Sequence, residues 1–357
     1  MAEGAWTIQR ALDWTEGYLE RKGDASPRAS AQWLLSEALG VSRVQLYVSF
    51  DKVLSDQELA VLHDYVARRG AGEPLQYITG EAPFRHITVH VKPGVLIPRP
   101  ETEVLVSEAL ALVPEPKRRT YDDDIVAALA KHADTALDII DSDSSSGAFK
   151  GVFEQARAQA DAEDGAHAPI LVADICTGTG CIALSIASEN DDARVIATDL
   201  SAEACALARE NRKALGLESR VAVLQCDLGA GIGEDRMGTF DLVVSNPPYV
   251  PSDVMRQLPA EVADFEPALA LDGGADGLAV YRRLLPWARR ALKPGGGLAV
   301  ELHETCLGEA ARMASEEGFD QIRIVKDLAG KPRVLVCRRA SASEEEASDH
   351  KFEQTKR

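Results

Sequence analysis

The sequence predicts an α/β protein, with a mostly parallel sheet covered by helices on both faces and a small helical bundle ahead of it. Three observations carry that reading. Beyond Pro169, short apolar runs alternate with segments of helical period, and alternating strand–helix units build a parallel sheet. Residues 1–73 place apolar side chains at helical spacing, with capping signals ahead of two of the runs. The chain has 357 residues, 45% of them apolar, enough for about two domains of roughly 100–200 residues each.

In the N-terminal segment, Ser26-Pro27 supplies a cap and a first-turn proline for the run Ala31, Trp33, Leu34, Leu35, Ala38 and Leu39, which Gly40 stops. Ser55 and Glu58 form a capping box ahead of Leu59, Leu62, Tyr65 and Val66, a run that ends at Gly70. No catalytic constellation falls here, and the segment reads as a stability or docking module. A β-hairpin linker is expected over 74–98: strand alternation at 84–91, a turn at Lys92-Pro93-Gly94 and a return through Val95, Leu96 and Ile97. Pro98-Arg99-Pro100 interrupts regular structure, and 101–113 reads as a helix with acidic residues in its first turn.

Residues 114–169 read as a surface insertion, with helical periods at 125–140 and 149–160 around an Asp- and Ser-rich break. Strands are then expected at 170–174, 194–198, 221–225, 240–245 and 298–302, with a last pair near 322–325 and 334–337. Helices at 181–188, 202–215, 279–292 and 309–317 lie between them. The α/β domain thus spans 99–339, and 340–357, with Glu344-Glu345-Glu346, is expected to be a disordered acidic tail.

Composition narrows the partners. The 39 Lys and Arg against 57 Asp and Glu leave a net charge of −18, which repels phosphate and argues against direct nucleic-acid binding by the surface as a whole. No stretch reaches the roughly 20 apolar residues of a membrane helix, and the first residues lack the basic-then-apolar plan of a signal peptide. Six cysteines, at 176, 181, 205, 226, 306 and 337, form no Cys-x-x-Cys pair, so neither a disulfide framework nor a metal site is expected. The expectation is a monomeric, cytoplasmic protein. His86 and His90 alternate on the hairpin towards solvent, His303 ends a strand, and the arginines at 282, 283, 289 and 290 read as a solvated helix face.

Chemistry concentrates at the carboxyl ends of the strands. Asp174-Ile175-Cys176-Thr177-Gly178-Thr179-Gly180 closes one strand and opens a helix. Glycines there let the backbone approach a ligand, and the helix start offers free N–H groups. Asp199 ends the next strand, where an acid accepts both hydroxyls of a ribose. Asp227, followed by Leu228, ends the third and is placed to meet an adenine amino group. No Walker lysine follows the glycines, and the third glycine of the dinucleotide fingerprint is missing. A positively charged, phosphate-free nucleoside, S-adenosylmethionine, suits these acids.

The fourth strand ends in Ser245-Asn246-Pro247-Pro248-Tyr249. The prolines make a rigid turn and remove backbone donors, so nearby carbonyls face outward, while Asn246 adds a side-chain carbonyl and Tyr249 a flat face. Such a turn grips a planar NH2 group through both hydrogens and holds a poor nucleophile against an electrophile, so catalysis is positioning and electrostatics. No general base is needed before transfer, because the alkylated nitrogen loses its proton readily.

On these residues the stretch 74–339 resembles the HemK/PrmC protein-glutamine N5-methyltransferases. The matching stretches are Pro74-Leu-Gln-Tyr-Ile-Thr-Gly80, Leu96-Ile-Pro-Arg-Pro-Glu-Thr-Glu103, the glycine loop, Asn246 to Tyr249, Asp264-Phe-Glu-Pro267 with Ala270-Leu-Asp-Gly-Gly274, and Lys326-Asp-Leu-Ala-Gly330. The resemblance implies a Rossmann-like S-adenosylmethionine-dependent methyltransferase domain with an antiparallel last strand, and an N-terminal helical domain that helps hold the substrate protein. It implies transfer to the glutamine of the GGQ loop in class I peptide chain release factors. Cys176, Thr177, Gly178, Thr179, Gly180, Asp199, Asp227, Leu228 and Asn246 would line the cofactor pocket. Asn246, Pro247, Pro248 and Tyr249 would hold the substrate amide, with Asn246, Pro247 and Tyr249 catalytic. The sequence departs from the family's pattern twice: a glycine usually stands where Cys176 does, a thiol being tolerated there at negative φ, and the insertion replaces a short connection.

Three other readings use the same residues. Adenine-N6 methyltransferases of nucleic acid carry a similar turn, but the charge of −18 and the lack of a basic, aromatic-interleaved domain argue against them. Enzymes that methylate a ribosomal-protein glutamine are similar at 174–178, whereas 97–103 and 270–274 favour the release-factor enzymes. A catalytically silent module keeping the pocket as a scaffold is disfavoured by the intact turn at 246–249.

Overall fold

The computed structural model describes residues 5–115 and 169–341; the expected insertion helices and the acidic tail lie outside the described residues. These fall into two compact units. One comprises 5–83, 88–97 and 256–268, the other 84–87, 98–115, 169–255 and 269–341.

The first unit is a helical bundle: α1 (Ile8–Arg21), α2 (Pro27–Leu39), α3 (Arg43–Val48), α4 (Asp56–Gly70) and α5 (Leu75–Thr79). They pack on Ile8, Leu12, Leu19, Leu34, Leu35 and Leu46, all fully buried, each contributing roughly 1.5–3 kcal/mol of transfer free energy. The expected capping box opens α4: the Glu58 N–H donates to Ser55 Oγ (3.2 Å) and the Ser55 N–H to Glu58 Oε2 (2.8 Å). Gly40 ends α2 in left-handed backbone. The start of α2 differs from expectation, because the Ser26 side chain makes no cap bond. Asp24 instead secures the approach to the helix, accepting from the Ser26 N–H (2.7 Å) and the Ser30 hydroxyl (2.9 Å). Arg69, on α4, then ties Asp24 (2.6 Å) to Glu261 (3.0 Å) of the returning segment.

The hairpin also sits elsewhere than expected. Its strands are β1 (Glu81–Phe84) and β2 (Ile87–His90), so the chain reverses at Arg85-His86 and not at 92–94. Unbroken alternation through 84–91 hides a two-residue turn, since no glycine marks it. Arg85 takes φ 52° and is held there: its N–H donates to Glu103 Oε1 (3.1 Å) and its guanidinium grips both oxygens of Glu189 (2.6 Å each). Val95 and Ile97 are buried without forming a strand, and the Tyr77 hydroxyl donates to the Val95 carbonyl (2.7 Å).

In the second unit β3 (Ile170–Ile175) pairs in parallel with β4 (Ala193–Asp199) and β6 (Phe240–Ser245). β5 (Val221–Gln225) flanks β4, and β7 (Leu292–Glu301) flanks β6. β9 (Pro332–Arg339) enters antiparallel between β7 and β8 (Phe319–Lys326). Among the described residues the sheet therefore runs β5-β4-β3-β6-β7-β9-β8, the mostly parallel order with an antiparallel last strand that was expected. Helices α6 (Thr102–Ala111), α7 (Cys181–Glu189), α8 (Ala202–Ala214), α9 (Ala279–Ala291) and α10 (Leu307–Glu316) accompany it. Val172, Ala173, Asp174 and Ile175 of β3 are all buried, as a central parallel strand with both faces covered requires. Crossovers leave β3 for β4 on one side and reach β6 on the other, which opens a crevice at the carboxyl ends of β3 and β6.

The arginines of α9 are more than a solvated face. Arg282, Arg283 and Arg290 are exposed, but each is ion-paired, to Asp276, Asp227 and Glu234. Among the described residues no helix is long and apolar enough to cross a membrane.

Phe240, 1% exposed between sheet and α9, tests the core. Phe240→Ala should lower the unfolding free energy by about 3–5 kcal/mol, read as a lower urea midpoint at unchanged slope. A change below about 1 kcal/mol would show that the packing does not rest on this ring.

Candidate active site

β3 ends at Ile175, and Cys176 to Gly180 turn the chain into α7. Three of those five residues are left-handed: Cys176 at φ 63°, Gly178 at 58° and Gly180 at 85°. A Cβ on Gly178 would meet nothing within 4 Å, whereas one on Gly180 would press on Leu184 (3.2 Å) and Ala208 (3.3 Å). The loop thus shows bare backbone to open space at Gly178 and packs on helices at Gly180. The negative φ on which tolerance of Cys176 was expected to depend is not found. A side chain in left-handed backbone costs on the order of 1–2 kcal/mol, which is why glycine suits the position. Burial pushes the Cys176 thiol pKa up, so it stays a neutral, small side chain.

Two carboxylates brace this loop. Asp174 is fully buried, its Oδ2 accepting from Thr177 Oγ1 (2.6 Å) and the Ala183 N–H (3.1 Å), while Oδ1 has no partner. Burial pushes its pKa up to about 7 against the pull of those donors. Asp199, at the end of β4, accepts from the Gly178 N–H through Oδ2 and from the Ser201 N–H through Oδ1, both at 2.9 Å. Burial raises its pKa as well, in spite of these bonds. Each Asp199 oxygen keeps a further lone pair for a ligand hydroxyl. The Thr177 and Thr179 side chains are buried, 3% and 2% exposed. Asp227 lies exposed two residues beyond β5, ion-paired with Arg283, and Leu228 beside it is left-handed at φ 49°.

β6 adjoins β3, so the turn after it stands next to the loop. Ser245 joins them, its hydroxyl donating to the Ile175 carbonyl at 2.6 Å. Asn246 is half-buried, and its Nδ2 donates to Thr102 Oγ1 on α6 at 3.2 Å. The Asn246 carbonyl remains as an acceptor. Pro247 is buried and Pro248 half-buried. The Tyr249 hydroxyl donates to Glu301 Oε1, at the end of β7, at 2.9 Å. Burial, with the Glu301 carboxylate, holds the Tyr249 pKa well above its usual value.

The 270–277 loop supports this turn from behind. The Val250 N–H donates to the Leu271 carbonyl (2.8 Å), and the Gly273 N–H to the Val250 carbonyl (2.9 Å). A Cβ on Gly273 would lie 2.7 Å from Tyr249 Cα, and one on Gly277 2.4 Å from the Tyr249 carbonyl oxygen. The glycines are needed because backbone meets backbone. Sequence reasoning assigned no part to Asp174, Thr102 or Glu301. Glu301 carried a usable signal, an acid ending an apolar strand on the same edge as Asp199, but Thr102 lies far from the turn in the chain and carried none.

His303 lies beyond β7, its Nδ1 2.8 Å from Thr305 Oγ1, and burial lowers its pKa. Among the described residues no group of three His, Cys, Asp or Glu side chains could hold a metal, and the six cysteines are free thiols.

Residues 10–80 match the family model of the PrmC N-terminal domain, and residues 166–261 that of the methyltransferase small domain. The release factor glutamine methyltransferase of Geobacter sulfurreducens is 40% identical over 334 residues, 92% of this chain and 96% of that protein. The chain belongs to the release factor glutamine methyltransferase family. The corresponding protein of Rhodopirellula baltica is 35% identical over 336 residues, 94% of this chain and 97% of its own. Among solved structures, a methyltransferase from Pyrococcus furiosus aligns over 61% of this chain and 100% of its own at 20% identity, with a TM-score of 0.37. The S-adenosylmethionine-dependent methyltransferase fold thus rests here on strand order and on the sequence relatives.

Two outcomes follow from the loop. Cys176→Gly should be tolerated within about 1 kcal/mol, relief of left-handed strain offsetting the added freedom of the unfolded chain. Cys176→Val, branched at Cβ, should lower the melting temperature clearly. Equal melting temperatures for the two variants would show that the backbone there is not constrained. Asp174 binds a proton more tightly folded than unfolded, so its contribution is full below about pH 4 and is lost as pH rises through about 7. Asp174→Asn should therefore be more stable than wild type at pH 8, with the difference closing towards pH 5, as thermal melts at the two pH values will read. A difference independent of pH would contradict the assignment.

Proposed function

We propose that this protein transfers the methyl group of S-adenosylmethionine to the side-chain amide nitrogen, N5, of the glutamine in the GGQ motif of class I peptide chain release factors. The observation that carries the reading is the Asn246 amide. With Nδ2 given to Thr102, its carbonyl is left to accept from an incoming NH2 group, at the end of the strand next to the one that the glycine loop leaves. Nearly full-length similarity to release factor glutamine methyltransferases supports the substrate.

The pocket suits the cofactor by its chemistry: a glycine loop open to close approach, unused lone pairs on Asp199, and acidic side chains around a cation. Cys176, Thr177, Gly178, Thr179, Gly180, Asp199, Asp227, Leu228 and Asn246 are the residues proposed to hold it. When bound, S-adenosylmethionine supplies an electrophilic methyl group on a sulfonium. Asn246 Oδ1 and the carbonyls that Pro247 and Pro248 leave unpaired accept both hydrogens of the substrate NH2. The Tyr249 ring presents its face to the conjugated amide. Holding both hydrogens turns the nitrogen lone pair out of conjugation and towards the electrophile, so the turn acts by orientation and by stabilising the developing charge. The alkylated nitrogen then gives its proton to water. Residues 1–73 serve as the recognition domain, 74–98 as a hairpin linker and 99–339 as the methyltransferase domain. The protein works as a cytoplasmic monomer, without nucleic acid or membrane as partner.

Labelled S-adenosylmethionine, offered with a purified release factor, its Gly-Gly-Gln→Gly-Gly-Asn variant and duplex DNA, tests this. Label on the wild-type factor alone is expected. Label on DNA, or on neither while cofactor still binds, would overturn the substrate. Asn246→Ala should cut turnover by about 10²–10³-fold with little effect on cofactor affinity, whereas Asp199→Ala should weaken cofactor binding. Near-normal turnover in Asn246→Ala would end the mechanism.

A further inference from the structure

Both polar side chains of the 246–249 turn have partners outside it, and those partners meet at one buried carboxylate. Asn246 Nδ2 donates to Thr102 Oγ1 at 3.2 Å, and the Tyr249 hydroxyl to Glu301 Oε1 at 2.9 Å. Thr102 is 2% exposed and Glu301 1%. The other carboxylate oxygen, Glu301 Oε2, is buried with no hydrogen-bond partner. α6, which carries Thr102, packs against β7, which ends at Glu301, and burial raises the Glu301 pKa against the pull of Thr102, Tyr249 and Arg333.

A hydroxyl has one proton and two lone pairs, whereas a carboxylate only accepts. Once the Thr102 oxygen receives Asn246 Nδ2, its proton is free to be given, and Glu301 Oε2, buried and unpartnered at the end of the strand against which α6 packs, is the acceptor that lacks one. We propose that Glu301, acting through Thr102, fixes which end of the Asn246 amide faces the acceptor nitrogen. The Thr102 proton points to Glu301, its lone pair takes Nδ2, and Oδ1 is left for the substrate NH2. A flipped amide would set NH2 against NH2, donor against donor, and the grip would be lost. Tyr249, tied to the same carboxylate, is aligned with it. Thr102 and Glu301 are positioning residues, and the inference rests on the part given to Asn246 in the proposed function.

Three variants test it: Thr102→Val, which keeps shape but loses the hydroxyl; Thr102→Ser, which restores it; and Glu301→Gln, whose amide can donate back to Thr102. Thr102→Val and Glu301→Gln should each lower kcat by about 10²-fold, with the dissociation constant for S-adenosylmethionine within about twofold of wild type, since the loss falls on a contact made to the substrate. Thr102→Ser should recover to within about fivefold, the spread expected of a misplaced rotamer. The Asn246 side-chain NH2 resonance, identified by its disappearance in Asn246→Asp, should shift in Thr102→Val and return in Thr102→Ser. Unchanged kcat in both Thr102→Val and Glu301→Gln, Thr102→Ser falling as far as Thr102→Val, or an unmoved NH2 resonance each overturns the inference. Should wild type label no release factor, the proposed function fails by itself, and the resonance still decides the orientation of Asn246.

Discussion

A loop that leaves a parallel sheet through three left-handed residues keeps its shape only if something accepts its N–H groups and fixes its side chains. Here two carboxylates do so. Asp174, beneath the loop, holds the Thr177 hydroxyl and the Ala183 N–H, and Asp199, from the neighbouring strand, holds Gly178 and the start of α8. Burying them is costly, which is why both pKa values rise. The cost is met by the large apolar core in which β3 and β4 sit, and it leaves a stability that falls as Asp174 ionises. This edge of the sheet, where the cofactor is proposed to bind, is shaped by the bracing of its own residues.

The neighbouring turn is rigid for different reasons. Its two prolines set the backbone from within, and two glycines of the 270–277 loop let a second backbone press directly against Tyr249. Side chains from α6 and β7 then take the polar ends of Asn246 and Tyr249. Residues distant in sequence thus converge on one sheet edge, because β6 lies between β3 and β7. In the proposed function this turn acts by holding geometry and not by proton transfer, and the contacts of Asn246 and Tyr249 suit that part.

Cys176 shows how strain persists beside function. Its left-handed backbone disfavours any side chain, yet Ile175, Ser245 and Thr177 pin the segment on both sides through bonds that do not involve the thiol. A small, neutral side chain is accommodated because the surroundings set the backbone, and the local preference of the residue is overridden.

Much of this was legible in the sequence, and the reason is periodicity. Runs such as Leu242-Val243-Val244 are apolar without a break because both faces of a parallel sheet are covered, so strands β3 to β7, their helices and the Ser55–Glu58 box could be placed from local pattern. The strand-end motifs could be located too, since glycines, acids and paired prolines stand out along the chain. What the pattern could not place were turns and contacts that depend on distant partners. The hairpin reverses at Arg85 because Glu103 and Glu189 hold that residue, the approach to α2 is secured by Asp24, which Arg69 holds, and Asp227 is taken by Arg283. Sequence by itself determined the fold class, the succession of strands and helices in the α/β domain, and the place of the rigid turn at 246–249. Only the tertiary structure decided the sign of φ at Cys176 and the contacts of Asn246 with Thr102 and of Tyr249 with Glu301, because they follow from which elements lie side by side, and spacing along the chain does not record that.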